Sequence, residues 1–185
     1  MRLPSVVVLV AVALVPGTAF AQSADAKIRE AMSAAPASIS AQATILDWPA
    51  TEGGDPVVLR QGSNGWTCLP DLPVTDGSDP QCLDETWIGF IQAYLKKETP
   101  RLARVGIGYM MAPGGAHNSN TDPYATGRTP DNDWGHDPPH LMLVVPDASA
   151  LAGIPTKREN GGPWVMWAGT PYVHLMIPLE PVRMK

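Results

Sequence analysis

The chain has 185 residues, a formal net charge of −5, 44% hydrophobic residues and 17% charged ones. That balance excludes an intrinsically disordered chain, and an acidic pI near 5.2 without a basic run excludes a nucleic-acid partner. The length is that of one domain, and Gly plus Pro, about 20%, stay below the roughly 25–30% of low-complexity chains.

The start of the chain reads as an address. Met1-Arg2-Leu3 is short and positive, residues 6–15 are wholly apolar, and Pro16 and Gly17 break that run. Ala19-Phe20-Ala21 has the small-x-small form of a cleavage site, so residues 1–21 are predicted to be a secretory signal peptide. The apolar run is half the roughly 20 residues a membrane span needs. Residues 22–185 are then expected to form one domain in the periplasm or the medium, with no membrane contact after cleavage.

Residues 23–34 are predicted to be a helix capped by Ser23, with Ile28 and Met32 on one face and Pro36 past its end. Residues 44–48 and 57–61 read as strands. Asn64-Gly65 is a strong hairpin signal, so residues 57–62 are expected to pair back on 66–69. Cys68 and Cys82 are the only cysteines and in an oxidising compartment are expected to form one disulfide. Their spacing is not a C-x-x-C motif, which argues against a redox pair or thiolate metal site. The closed segment is rich in Asp, Gly and Pro and has little to bury, so a staple makes physical sense.

Residues 84–97 form the best helical pattern. Asp84 is the predicted N-cap, Glu85 suits the first turn, Trp87, Ile88, Ile91 and Leu95 make an apolar stripe, and Pro100 prevents extension. In the strand predicted at 105–111, Gly106 and Gly108 share a face, which invites close approach by another element. Residues 140–145 are almost wholly apolar and read as a central strand. A short helix is predicted at 147–152, and strands at 164–168 and 172–177 with Gly169-Thr170-Pro171 as their turn. The fold class is α+β: an antiparallel or mixed sheet with two main helices, one disulfide and one long ordered loop.

That loop covers 112–139 and is far longer than the usual uncommitted connection. It holds His117, His136, Asp122, Asp131, Asp133 and Asp137, with Tyr124 and Trp134 as apolar anchors. Asn, Asp and Ser here are typical turn-capping residues. Asp131-Asn132-Asp133 resembles the opening of a calcium loop but lacks the required Gly and Glu at its sixth and twelfth positions. An irregular calcium site on Asp131, Asp133 and Asp137 is the weaker reading.

His140-Leu141-Met142 is echoed by His174-Leu175-Met176. On strands, His140 and Met142 share a face, as do His174 and Met176. Imidazole and thioether together suit copper. The bland reading, core methionines beside hydrogen-bonded histidines, is the more common one. Six Trp stand against two Phe, so some Trp must build the core while others are free to line a pocket. Trp164 and Trp167 are expected on opposite faces of a strand. No G-x-S-x-G elbow, Walker motif or G-x-G-x-x-G is present.

Residues 62–70 (GSNGWTCLP), 79–84 (DPQCLD), 119–123 (SNTDP), 139–142 (PHLM) and 160–167 (NGGPWVMW) resemble strings found in a group of secreted bacterial proteins of unknown function. The resemblance implies a single secreted domain with a Cys68–Cys82 link, and no activity.

Three functions are expected in descending order. The first is a non-enzymatic protein binding a small molecule or a protein partner between the sheet and the 112–139 loop, with His117, Asp122, His140 and His174 as polar contacts. The second is a copper or zinc protein using His140, His174, Met142 and Met176. The third is a hydrolase with His117 or His140 as general base, for which the sequence shows no partnered nucleophile.

Overall fold

In the computed structural model, the described residues are 22–51, 54–72, 75–158 and 161–179. The predicted signal peptide, residues 1–21, lies outside them. The chain order is α1 (Ala24–Ser33), α2 (Ala37–Ser40), β1 (Thr44–Asp47), β2 (Val57–Arg60), β3 (Thr67–Leu69), β4 (Asp76–Gly77), β5 (Gln81–Leu83), α3 (Glu85–Leu95), β6 (Gly106–Met110), β7 (Ala116–Ser119), β8 (Trp134–Asp137), β9 (His140–Val144), a 3₁₀ turn (Ala148–Leu151), β10 (Trp164–Met166) and β11 (His174–Pro178). This is an α+β fold. Eight strands form one mixed sheet in the order β10-β11-β9-β6-β5-β3-β1-β2, and β4-β7-β8 form a small second sheet. No helix among the described residues is long and apolar enough to cross a membrane.

The large sheet is covered on both faces. Alternation along each strand sends one set of side chains each way. Ile45, Cys68 and Cys82 pack with Ala31, Ala34 and Ala35 at the α1 side. Leu69, Leu83, Met142, Val144 and Met176 pack with Trp87 and Phe90 at the α3 side. Cys68 and Cys82 face each other directly across β3 and β5 and are joined by the disulfide. Both main helices begin where their caps predict: Ser23 Oγ accepts from the Ala26 N–H, and an Asp84 carboxylate oxygen accepts from the Trp87 N–H.

The α3 face depends on the paired glycines of β6. A Cβ on Gly106 would come within 2.9 Å of Thr86, and one on Gly108 would meet the Met142 methyl at 2.9 Å. The helix settles directly on this stripe. Its buried face is centred on Trp87 and Phe90, with Ile88, Ile91 and Tyr94 beside them. Leu95, expected on that stripe, is 61% exposed. Eight residues after Trp87, at 100° per residue, it has rotated some 80° off the axis of contact.

The hairpin expected between 57–62 and 66–69 is not made. β1 lies between them, antiparallel to β2 and parallel to β3. The Asn64 turn is present, with the Trp66 N–H donating to Asn64 Oδ1. Asn64 Nδ2 also donates to Ile39 O, and the Ser63 N–H to Gln42 O. These bonds tie the connection over the start of β1, so a local turn signal became a crossover. The closing hairpin is as expected, with Val165 opposite Leu175, and β9 is central between β11 and β6.

The 112–139 stretch is ordered, but it is not all loop. It contributes β7 and β8, paired through His117–His136 and Asn118–Gly135, and β4 from the disulfide-closed segment adds the third strand. Four-residue strands rich in His, Asn and Asp carry no apolar alternation, which is why the sequence pattern misses them.

Candidate ligand-binding cavity

A cavity of about 260 Å³ lies on the α3 side of the large sheet, walled by β6, β9, β10, β11, by α3, and by residues from 112–125. The strand register sets its long direction. Met142 stands opposite Met176, and His140 opposite Pro178. His174 is therefore four residues along from His140, roughly 13 Å of strand. Both imidazoles lie on the cavity face with the methionine pair between their strand positions, and burial together with the His140 charge lowers the His174 pKa. The sequence suggested convergence of two His and two Met; the faces match, and the antiparallel register staggers the two histidines along the strands.

Each histidine is fixed in the same way. His140 Nδ1 lies 2.6 Å from Pro138 O and His174 Nδ1 lies 2.9 Å from Tyr172 O. A carbonyl can only accept, so each Nδ1 carries the proton and each Nε2 presents a lone pair. Both rings are buried, at 3% and 2% exposure. Burial pushes both pKa values down, that of His174 to about 4. The Asp137 charge and the Pro138 carbonyl oppose the fall at His140 without reversing it. His140 Nε2 has no hydrogen-bond partner among the described residues.

The surrounding polar groups are already committed. Trp48 Nε1 donates to Pro70 O, Trp87 Nε1 to Met142 O, Trp167 Nε1 to Ser119 O, and the Tyr94 hydroxyl to Pro123 O. Ser119 Oγ donates to Asn132 O. Asp137 is ion-paired with Arg158 at 3.1 Å, both almost fully buried. Burial pushes the Asp137 carboxyl up, opposed first by the Arg158 charge and then by His140. Asp79 is pushed up to about 6, by burial first and then by its contact with Asp71. Among the described residues no Lys or Arg lines the cavity, whereas Asp79, Asp122 and Asp137 do.

Three of the four predicted contacts, Asp122, His140 and His174, line this cavity. His117 does not. It sits on the small sheet beside His136, ring centroids 5.2 Å apart, with Nδ1 3.6 Å from Asp76. Met142 and Met176 line the cavity, joined by Met110 and Met166. The described residues contain no cluster of three or more His, Cys, Asp or Glu able to hold a metal. The calcium reading of Asp131, Asp133 and Asp137 fails: Asp137 belongs to Arg158, Asp133 accepts from Asn120 Nδ2, and Asp131 is exposed. Among the described residues, neither His140 nor His117 has a Ser or Thr hydroxyl as partner.

No known family, curated protein or solved structure matches this chain. The site must be read from its own chemistry.

Sequence reasoning missed three parts of it. Arg158 looks like half of a surface Lys-Arg pair, yet it is buried, bonded to Asp137, Asp133 O and Asn118 O. Its guanidinium lies on Gly135, where a Cβ would be 2.4 Å from Nη1. Asp79 reads as a turn residue and does serve as one, its Oδ1 accepting from the Leu72 N–H. Trp167 was expected on the face opposite Trp164. Both pack on the α3-side core, because β10 ends at Met166 and Trp167 takes φ 54°, which turns its side chain back.

Proposed function

We propose that this chain is a secreted, non-catalytic binding protein whose ligand occupies the cavity between the sheet and the 112–139 segment. One observation carries the reading: His140 Nε2 is buried, holds a lone pair and has no partner among the described residues, beside a mostly apolar space of about 260 Å³. An unsatisfied buried polar atom costs about 1–3 kcal/mol. A ligand with an N–H or O–H group would recover that cost when it binds. The volume sits just below the roughly 300–1,000 Å³ usual for ligand sites, so the ligand is small and mostly apolar. The disulfide and the signal-like residues 1–21 support secretion.

The test is thermal denaturation against a set of single-ring compounds with and without a hydrogen-bond donor. Donor-bearing compounds are expected to raise the Tm of the wild-type protein and to lose most of that effect in Met142→Trp, which fills the cavity. Equal shifts in both proteins would place binding elsewhere and end this reading.

A cuprous ion is the second reading. It is favoured by the Met142–Met176 pair, flanked by imidazole nitrogens whose Nδ1 protons are tied to carbonyls. That arrangement leaves Nε2 free to ligate. Elemental analysis of protein secreted by its own signal decides it: near-stoichiometric copper, lost in His140→Ala, would replace the first reading.

A further inference from the structure

We propose that His117 and His136 form a surface site for one cupric ion, bound by His117 Nε2 and His136 Nδ1, with water completing its coordination. The site lies on the small sheet, outside the cavity, and does not depend on the cavity reading.

Strand pairing builds the site as a row. Asp76 of β4 stands opposite His117 of β7, and His117 stands opposite His136 of β8. Residues directly opposite on antiparallel strands project from the same face, so a carboxylate and two imidazoles lie side by side. The next pair along, Ala116 and Asp137, is buried at 2% and 1% exposure. Alternation therefore turns the two histidines away from the core. Strand β8 is held from its buried side, where Asp137 pairs with Arg158. Gly115 closes on the same strand, since a Cβ there would lie 2.0 Å from Asp137 O.

Each imidazole has one nitrogen engaged and one left over. His136 Nε2 donates to Gly114 O, which leaves the lone pair on Nδ1. His117 Nδ1 is buried with no hydrogen-bond partner among the described residues, and Asp76 Oδ2 lies 3.6 Å from it. A carboxylate at that distance favours the tautomer with the proton on Nδ1, so Nε2 carries the lone pair. Because Nδ1 is buried, the exposed 40% of the side chain lies away from it. Metal-bound imidazoles are held in this way, one nitrogen ligating while the other faces a carboxylate or a carbonyl. The ring separation also fits. Two imidazoles bound at about 2.0–2.1 Å with a tetrahedral angle between them have centroids about 5 Å apart, and these stand 5.2 Å apart.

The donors choose the metal. Imidazole pairs without sulfur are borderline ligands, and among divalent first-row ions copper binds them most tightly. The cavity wall offers thioethers, which favour cuprous copper, whereas the Asp76–His117–His136 row offers none. Asp76 acts as a positioning residue: its charge stabilises the His117 ring once Nε2 is on the cation.

The test titrates cupric ion into the disulfide-bonded protein at pH 7.5. One equivalent is expected to bind, with pulsed EPR showing two imidazole nitrogens on the ion, and zinc is expected to bind more weakly. Asp76→Asn should weaken copper binding by about tenfold with both imidazoles still in the spectrum. His117→Ala and His136→Gln should each weaken it by more than that. The glutamine keeps an N–H donor for Gly114 O, so the strand pairing survives. His140→Ala should leave the affinity unchanged. The inference is overturned if the wild-type protein binds no copper, or if the His117→Ala, His136→Gln double variant binds it as tightly as wild type. It is also overturned if His140→Ala alone removes the ion, which would place the copper in the cavity.

Discussion

The two faces of the large sheet are built from different materials. The buried centre of the α1 face is mostly small groups: Ala31, Ala34, Ala43 and the Cys68–Cys82 bridge are fully buried around Ile45, with Trp66 and Tyr109 at the margin. The α3 face is filled by Trp, Phe, Tyr and Met, and it is the face with the cavity. Small side chains close on one another with little residual space, so a helix can sit directly on the strands. Large flat rings and flexible thioethers leave gaps where their shapes do not match. The α1 face is also fastened covalently, whereas the wall of the cavity is fastened by the Asp137–Arg158 ion pair. One face holds the molecule together, and the other holds space open.

The largest way to break this contrast is at Arg158. Arg158→Met should destabilise the protein by about 3–5 kcal/mol, because it leaves Asp137 buried and uncompensated. Urea unfolding measures the loss. A double variant, Arg158→Met with Asp137→Leu, should recover much of it. If the single variant costs less than 1 kcal/mol, the pair does not hold the wall.

The α1 face comes next. Cys68→Ala with Cys82→Ala should cost about 3 kcal/mol, given the closed loop of about 15 residues. The intact, unfolded protein should show no thiol titratable without reductant.

The cavity face should also reveal itself through pH. His174 has a folded pKa of about 4, below its ordinary 6.5. It binds a proton more readily when unfolded, so its contribution is complete above pH 6.5 and is lost as pH falls toward 4. The full loss is about 3 kcal/mol. Asp79 runs the other way. Its folded pKa is about 6, above the ordinary 3.8, so stability is lost as pH rises from about 4 to 6. Partial solvent access discounts that loss to roughly 1–2 kcal/mol. The two oppose each other in one window. His174→Gln should flatten the fall on acidification, and Asp79→Asn should steepen it while making the protein more stable at pH 7. Unfolding free energies at pH 4, 5, 6 and 7 for both variants separate the two terms; an unchanged profile in either removes that residue from the account.

The smallest effects test packing alone. Ala31→Leu should cost about 1–3 kcal/mol on the closed face, whereas Met142→Leu on the open face should cost under about 1.5 kcal/mol. Equal costs would mean the two faces are packed alike.

Much of this was legible in the chain. Ser23 and Asp84 capped their helices as read, because a cap is a contact over three residues. Glycines at 106 and 108 announced close approach, because on a strand two such positions share a face. The repeated His-x-Met strings pointed to one face of two neighbouring strands. The length and content of the 112–139 segment singled it out, and several of its residues line the cavity.

What the sequence by itself determined was local: period, capping, turn chemistry, the cysteine pair and the α+β class. Register and crossing belonged to the tertiary structure. Only the antiparallel pairing of β9 with β11 could bring His140 and His174, staggered by four residues, to the wall of one cavity. Only the anchoring of Ser63 and Asn64 by Gln42 and Ile39 could carry the chain across β1. Only burial could make an ion-pair anchor of Arg158, and burial is the first cause of the raised pKa of Asp79. The partners of Ser63, Asn64 and Arg158 lie 21 to 40 residues away in the chain, and no short window along the sequence contains both sides of such a contact.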